Sequence, residues 1–268
     1  MSFEQYMKEY VLEPAGMRSS SFLKQEVEAH LAAPHVLGTS NGYGGYISDV
    51  FPYNRAHGPS STLYTNVEDM CQYMLLHLNK GFSGADCNFL QAYSYDEMWK
   101  PYATTGYGQE NAQIGLGWFL GEYKGYRIVS HSGWDTGFLS DLILLPDQKI
   151  AISVMTKCDY VRLGSVSFPI LDLLLGSNAR HIKQSMAHKV ADLAVSDGVN
   201  KAVEEYRRIK RLEQDKHYLV EFEFMRITEA LMWNGYNEDA FRVLTCAAVI
   251  FPDSGSISRM LTELQEKI

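Results

Sequence analysis

Apolar residues recur at helical spacing near both ends of the chain and at strand spacing in its middle. The opening "SFEQYMKEYVLEP" predicts a helix over about residues 3–12. Ser2 and Gln5 form a capping box, Phe3, Tyr6, Met7, Tyr10 and Val11 make the apolar stripe, and Pro14 and Gly16 stop it. Residues 34–62, rich in Gly, Tyr, Ser and Pro, show no period and read as a long loop. A second helix follows: Asn66 caps it, Glu68 and Asp69 sit in its first turn, "MCQYMLLHL" supplies its apolar face, and Gly81 ends it.

After residue 113 the period changes. "IGLGWFLGEY", "YRIVSHSG", "GFLSDLILLP" and "KIAISVMTK" are short apolar, partly alternating runs separated by Gly, Lys-Gly or Pro-Asp turns. That pattern predicts an antiparallel meander. "SVSFPILDLLL" (165–175) returns to helix and is expected to pack on the sheet, "GSNARHIKQS" reads as a linker, and residues from about 186 to 268 are helical in character. Within that tail, "ALMWNGYNEDAFRVLTCAAVIFPDS" carries small residues at Ala240 and Ala247, Gly235 in the turn and Pro252 after the second helix. It resembles a tetratricopeptide repeat, which needs small residues where its helices cross; an ordinary helical hairpin is the alternative. One repeat cannot bury its own face, so it is expected to lean on the preceding helix (about 198–212) or on the body of the protein.

Composition narrows the function classes. A chain of 268 residues, 46% hydrophobic and 21% charged, can bury a sizeable core and is not a disordered chain. The net charge is −8, and the basic run in "EEYRRIKRLE" has acids on both sides, the mark of a solvated helix face rather than of a nucleic-acid surface. No apolar run approaches the ~20 residues that span a bilayer. The first residues carry acids where a secretory signal would be basic and then apolar, and the compartment stays open. Cys71, Cys87, Cys158 and Cys246 are scattered without a C-x-x-C or paired His, so buried thiols are expected and no metal or cofactor.

Two motifs compete as candidate chemistry. Ser21-Phe22-Leu23-Lys24 is an S-x-x-K, the nucleophile signature of serine β-lactamases and penicillin-binding proteins. With 22 Ser and 13 Lys, however, about one such match is expected by chance. The chemistry needs Ser and Lys on successive turns of a buried helix, so that the amine can take the hydroxyl proton. "SSSFLKQEVEAHL" instead follows a Pro-Ala-Gly-Met stop and reads as a polar, exposed connector. Tyr64-Thr65-Asn66 imitates a Y-x-N, but Asn66 is better explained as a helix cap. The second motif, His131-Ser132-Gly133, would arise by chance only about 0.05 times and lies at the end of a predicted strand. There a sheet can hold a hydroxyl and a cationic or hydrogen-bonding side chain rigidly, beside backbone N–H groups that face a developing oxyanion.

In order and spacing, "SFEQYMKEYVLEPAGMRSSSF", "GPSSTLYTNVEDMCQYMLLHLNKG" and "GLGWFLGEYKGYRIVSHSGWDTGFLSDLILLPDQKIAISVMTK" resemble the C-terminal half of the β-lactamase-related serine hydrolases, over about residues 2–175. That family takes in class C β-lactamases, D-alanyl-D-alanine carboxypeptidases and related esterases. The resemblance implies an α+β, β-lactamase/transpeptidase-like fold that is partial here: a helical subdomain plus an antiparallel sheet over 1–176, then a small all-α repeat-like tail over 186–268. In such enzymes the S-x-x-K helix and the Y-x-N precede a Pro-x-Gly-Met segment, here Pro14-Ala15-Gly16-Met17, so Ser21 is expected to be a decoy and the nucleophile segment to be absent.

His131-Ser132-Gly133 then stands at the K-T-G position of classical members. The resemblance gives His131 a charge or hydrogen bond toward substrate, Ser132 a contact with its carboxylate or carbonyl, and Gly133 room for its backbone. The N–H of Trp134 would be one oxyanion donor, although relatives usually have Gly there and the indole would narrow the cleft. The implied substrate is a lactam, D-alanyl peptide or ester, hydrolysed through an acyl-serine in the intact form, and this chain alone is expected to be inactive. Two alternatives remain: a non-catalytic protein that binds a protein partner through its helical tail, and a rearranged site that uses Ser21 and Lys24. Strands missing from the sheet would leave an edge unpaired, with poor solubility or a covering partner as the consequence.

Overall fold

The computed structural model describes residues 1–81, 89–178, 183–266 and 268. Cys87 and the middle of the expected linker, residues 179–182, lie outside the described residues. The chain forms two compact units, one of residues 1–32, 51–157 and 162–179, the other of 33–50, 158–161 and 180–268. The second unit therefore takes in two segments from upstream of the tail, one of them more than a hundred residues away. One of them corrects the expected loop over 34–62: β1 (His35–Gly38) and β2 (Gly44–Ile47) form an antiparallel hairpin there. Four residues per strand, three of the eight being Gly, give too short and too small a pattern for periodicity to detect.

The first unit begins with α1 (Phe3–Met7), capped by Ser2, whose hydroxyl accepts the N–H of Gln5. The expected single helix changes pitch at Lys8. Residues Lys8–Leu12 form a π turn, a wider turn that leaves Leu12 packed with Ala15, Met17 and Leu76. Two single turns, α2 (Lys24–Val27) and α3 (Gly58–Ser61), precede α4 (Val67–Leu78), which Asn66 caps as expected by accepting the N–H of Asp69. Helix α5 (Ala92–Met98) follows.

The meander is a six-stranded antiparallel sheet in sequence order: β3 (Ala103–Thr104), β4 (Gln113–Ile114), β5 (Phe119–Tyr123), β6 (Tyr126–Asp135), β7 (Phe138–Leu145) and β8 (Ile150–Thr156). Lys124 and Gly125, both at positive φ, make the two-residue turn between β5 and β6, the backbone such a tight hairpin needs. Both faces of the sheet are covered. Val129, Leu142 and Leu144 pack with Met74, Leu78, Tyr95, Trp99 and Trp118, whereas Ile128, Ile143, Leu145 and Ile152 pack with Leu171 of α6 (Gly164–Leu174). Two buried faces explain why "LILL" in β7 is apolar at every position instead of alternating. Asp172 of α6, fully buried, accepts a hydrogen bond from the Tyr123 hydroxyl at 2.7 Å and pairs with Lys124, pinning the helix to the β5–β6 turn. Strand β8 is a sheet edge, joined among the described residues to β7 alone.

In the second unit, β9 (Gln184–Ser185) pairs in parallel with β10 (His217–Tyr218), so the tail is not wholly helical. Its helices are α7 (Ala187–Ser196), α8 (Val199–Leu212), α9 (Glu221–Trp233), α10 (Asn237–Ile250) and α11 (Gly255–Gln265). Ala191, Ala194, Ala202, Ala240 and Ala247 are fully buried, small side chains that let the helices approach closely. The upstream hairpin joins this core through Leu37. Asn234 Nδ2 donates to the Leu37 carbonyl at 3.1 Å and Thr39 Oγ1 to Asp239 at 2.7 Å. His188 ties three segments together: its Nε2 donates to the Tyr160 carbonyl at 2.8 Å, which leaves Nδ1 to accept the Tyr43 hydroxyl at 2.6 Å. Of the thiols expected to be buried, Cys246 is and Cys158 is half-buried, but Cys71 is exposed on the outer face of α4. Among the described residues, no helix is long and apolar enough to cross a membrane.

Candidate functional site

Strand β6 changes character along its length. From Tyr126 to Ser130 it pairs with β5, joined by β7 on the other side from Val129 on, and the β5 pairing ends at Phe119 opposite Ser130. From His131 to Asp135 only β7 pairs with it, so among the described residues its other edge carries no strand. The sequence explains the change. Before Phe119 the chain turns back on itself through Gly115-Leu116-Gly117, with the Gly115 N–H donating to the Trp118 carbonyl at 2.7 Å. A strand held on one edge and open on the other offers backbone N–H and C=O groups to an extended ligand.

The four residues singled out from the sequence sit on this open half. His131, Ser132 and Trp134 are exposed, the last by 54%, and Gly133 is intermediate. Cross-strand partners share a face of the sheet, so His131 and Gly133 lie with Leu142 and Ser140, and Ser132 lies on the other face with Asp141. Gly133 leaves room for the Ser140 hydroxyl across the strand pair: a Cβ there would stand 2.5 Å from that oxygen and force it to rotate away. The His131 ring lies 5.7 Å from that of Phe119. Asp141 accepts a hydrogen bond from Ser167 at 2.6 Å, and burial raises its carboxyl above the usual range against the pull of that bond. Ser130, just before the motif, donates to Asn111 Oδ1 at 2.8 Å and anchors the strand where β5 ends.

Ser21 is placed differently. It is buried, which corrects the expected exposed connector, because the 19–21 segment is stitched to the start of α4. Ser20 Oγ donates to Asp69 at 2.6 Å, the Ser19 N–H donates to the same oxygen at 2.8 Å, and Ser21 forms an isolated bridge with Tyr64. The Ser21 hydroxyl donates to Glu26 at 2.8 Å and accepts the Leu23 N–H at 2.9 Å. Lys24, the first residue of α2, carries its ammonium over the Phe51 ring at 4.4 Å. Ser21 precedes that single turn rather than occupying a helix with Lys24, so the geometry that lets an amine activate a hydroxyl is not present here.

Sequence reasoning missed an aromatic wall on the same hairpin end. Phe138, opposite Asp135, meets Phe51 at 5.9 Å, Phe51 meets Tyr64 at 6.2 Å, and Tyr64 stacks on Tyr53 at 6.2 Å. Burial, helped by Tyr53 and Asp135, pushes the Tyr64 phenol up to about 12, so it stays protonated and neutral at neutral pH. The three aromatics of residues 51–64 have no common spacing, and the only signal for them was a concentration of Tyr and Pro.

A helical layer against a meander whose central strand ends in an exposed His-Ser-Gly defines a class, the β-lactamase/transpeptidase fold. The chain belongs to the beta-lactamase family, whose model matches residues 1–167. It is 27% identical over 150 residues to beta-lactamase-like protein 2 of Dictyostelium discoideum, a match covering 56% of this chain and 26% of that protein. Among solved structures, the octameric penicillin-binding protein homologue from Pyrococcus abyssi is similar, with a TM-score of 0.58 and 25% identity over 67% of this chain and 39% of that one. A class C β-lactamase from Rhodobacter sphaeroides shares the fold, with a TM-score of 0.51 and 12% identity over 65% of this chain and 55% of that one. The chain thus spans about a quarter of the curated relative and two fifths of the octameric homologue.

Proposed function

We propose that this chain supplies the substrate-side strand of a serine hydrolase acting on a lactam, a D-alanyl peptide or an ester. The observation that carries the reading is the open half of β6, where His131, Ser132 and Gly133 stand on a strand that, among the described residues, pairs with β7 alone. An extended acyl group laid along that edge meets backbone hydrogen-bonding groups, with His131 donating from one face and the Ser132 hydroxyl offered from the other. The Trp134 N–H is the oxyanion donor in this reading, and its indole narrows the approach. Ser21 takes no part in acyl transfer in this reading, since its hydroxyl is tied to Glu26 and the Lys24 ammonium stands over the Phe51 ring rather than beside it. The tail over 186–268 is a tetratricopeptide-like module in this proposal, with Ala240 and Ala247 at its crossing points.

Intact-mass spectrometry after incubation with a penicillin, and separately with a fluorophosphonate, tests the reading. The expected result is no adduct on Ser21. The amide resonances of 131–134 should nevertheless shift when an acyl-D-alanyl-D-alanine peptide is titrated in. A stoichiometric adduct on Ser21, lost in Ser21→Ala, would replace this proposal with a compact Ser–Lys hydrolase. Ser21→Ala itself should cost about 1 kcal/mol of stability, the usual worth of the hydrogen bonds it removes.

A further inference from the structure

Helix α9 buries Phe224, Ile227, Thr228 and Leu231 on one side and turns a different kind of surface outward. Phe222, Arg226, Glu229 and Trp233 are spaced four, three and four residues apart, which at about 100° per residue sets them in one narrow stripe opposite the buried face. The two ends of the stripe are aromatic and unusually open. Phe222 is 62% exposed and Trp233 82%, the highest value among the large hydrophobic residues described. The middle is charged with opposite signs: Glu229 is exposed and Arg226 half-buried. The Arg226 guanidinium lies 5.9 Å from the Phe222 ring centre, with Glu229 and Asp159 as the acids that act on it.

The order aromatic, cation, anion, aromatic has a symmetry that a scattered set of exposed residues would lack. Turned end over end about a point between Ile227 and Thr228, Phe222 falls on Trp233 and Arg226 falls on Glu229. A patch with this property is complementary to itself under a two-fold axis. We propose that α9 is the contact through which two copies of this chain associate, antiparallel, with Phe222 of each against Trp233 of the other and Arg226 of each against Glu229 of the other. Arg226 can serve this contact without giving up its place over Phe222, because a guanidinium carries five donors.

Size sets the strength. Fully buried aromatic side chains hide about 150–250 Å² each, so the exposed parts of four such rings contribute about 600 Å². That is well under the about 1,600 Å² of a standard interface, so the dimer is a weak, reversible one. This inference stands apart from the hydrolase reading, since it uses no residue of the β6 strand.

Sedimentation velocity on the full chain at loading concentrations from about 1 to about 200 µM, the range for an interface of this size, tests it. The expected result is a sedimentation coefficient that rises toward that of a dimer. Trp233→Ala, at an open position where folding is not at stake, should hold the chain monomeric over the whole range. Arg226→Glu and Glu229→Arg should each weaken association by about tenfold through like charges brought together. Mixing the two single variants in equal amounts should restore it, because one copy then presents two acids at these positions and the other two bases. A chain that stays monomeric at the highest concentration would overturn the proposal. So would a dimer that survives Trp233→Ala, or a mixture that associates no better than its two components.

Discussion

The two units treat a buried histidine in opposite ways. His77, in the last turn of α4, is 3% exposed and enclosed by the rings of Tyr73 at 4.3 Å, Trp118 at 4.9 Å and Tyr95 at 5.4 Å. Among the described residues neither of its ring nitrogens has a hydrogen-bond partner, and the Tyr95 hydroxyl and the Trp99 indole N–H beside it have none either. His188, in the second unit, has both nitrogens occupied, one by the Tyr160 carbonyl and one by the Tyr43 hydroxyl. Burial holds both imidazoles neutral, His77 down at about 4. The first histidine is thus a packing residue that carries an unmet polar cost, and the second is a tie between chain segments distant in sequence. Burial alone does not say what a polar residue does; its partners do.

The largest effect should come from acid acting on His77. The unfolded chain binds a proton at His77 near pH 6.5, but the folded chain does so only near 4. Stability from this residue is therefore complete above pH 6.5 and declines as pH falls toward 4, by up to about 3 kcal/mol. Urea denaturation at pH 7 and at pH 4.5 measures the slope, and His77→Phe should flatten it. The phenols of Tyr73 and Tyr95, pushed up to about 12, are silent in that window. A slope unchanged in His77→Phe would mean that other groups carry the acid sensitivity.

His188→Phe should cost about 2 kcal/mol at neutral pH, because it strands a hydroxyl and a carbonyl. Hydrogen exchange should then rise in the 33–50 hairpin and the 158–161 segment, while α4 and the sheet keep their protection. The smallest effect belongs to His77→Phe at pH 7. Replacing unpartnered polar atoms by a ring of similar shape should leave stability within about 1 kcal/mol of the parent, on either side. A loss of several kcal/mol would show that His77 has a partner and would collapse the contrast.

Much of this architecture was legible. Asn66, Glu68 and Asp69 announced the start of α4, the Lys124-Gly125 turn and its apolar neighbours announced the β5–β6 hairpin, and His131-Ser132-Gly133 stood out at a strand end. These signals are local, since a cap, a tight turn and a two-residue period act within a few residues. The hairpin of β1 and β2 was not legible, because its strands are short and its partners, Asn234 and Asp239, lie about two hundred residues away. The burial of Ser20 and Ser21 was hidden for the same reason: three serines look solvent-facing until Asp69 and Tyr64 are brought against them.

The sequence by itself determined the capped helix α4, the meander and the family, for these rest on neighbours along the chain and on the order of segments. Only the tertiary structure decided which serine is a structural stitch, where β6 loses its second neighbour, and which upstream segments complete the helical core. Each of those depends on a contact between residues far apart in the chain, and a side chain's chemistry follows from the groups placed around it rather than from its type.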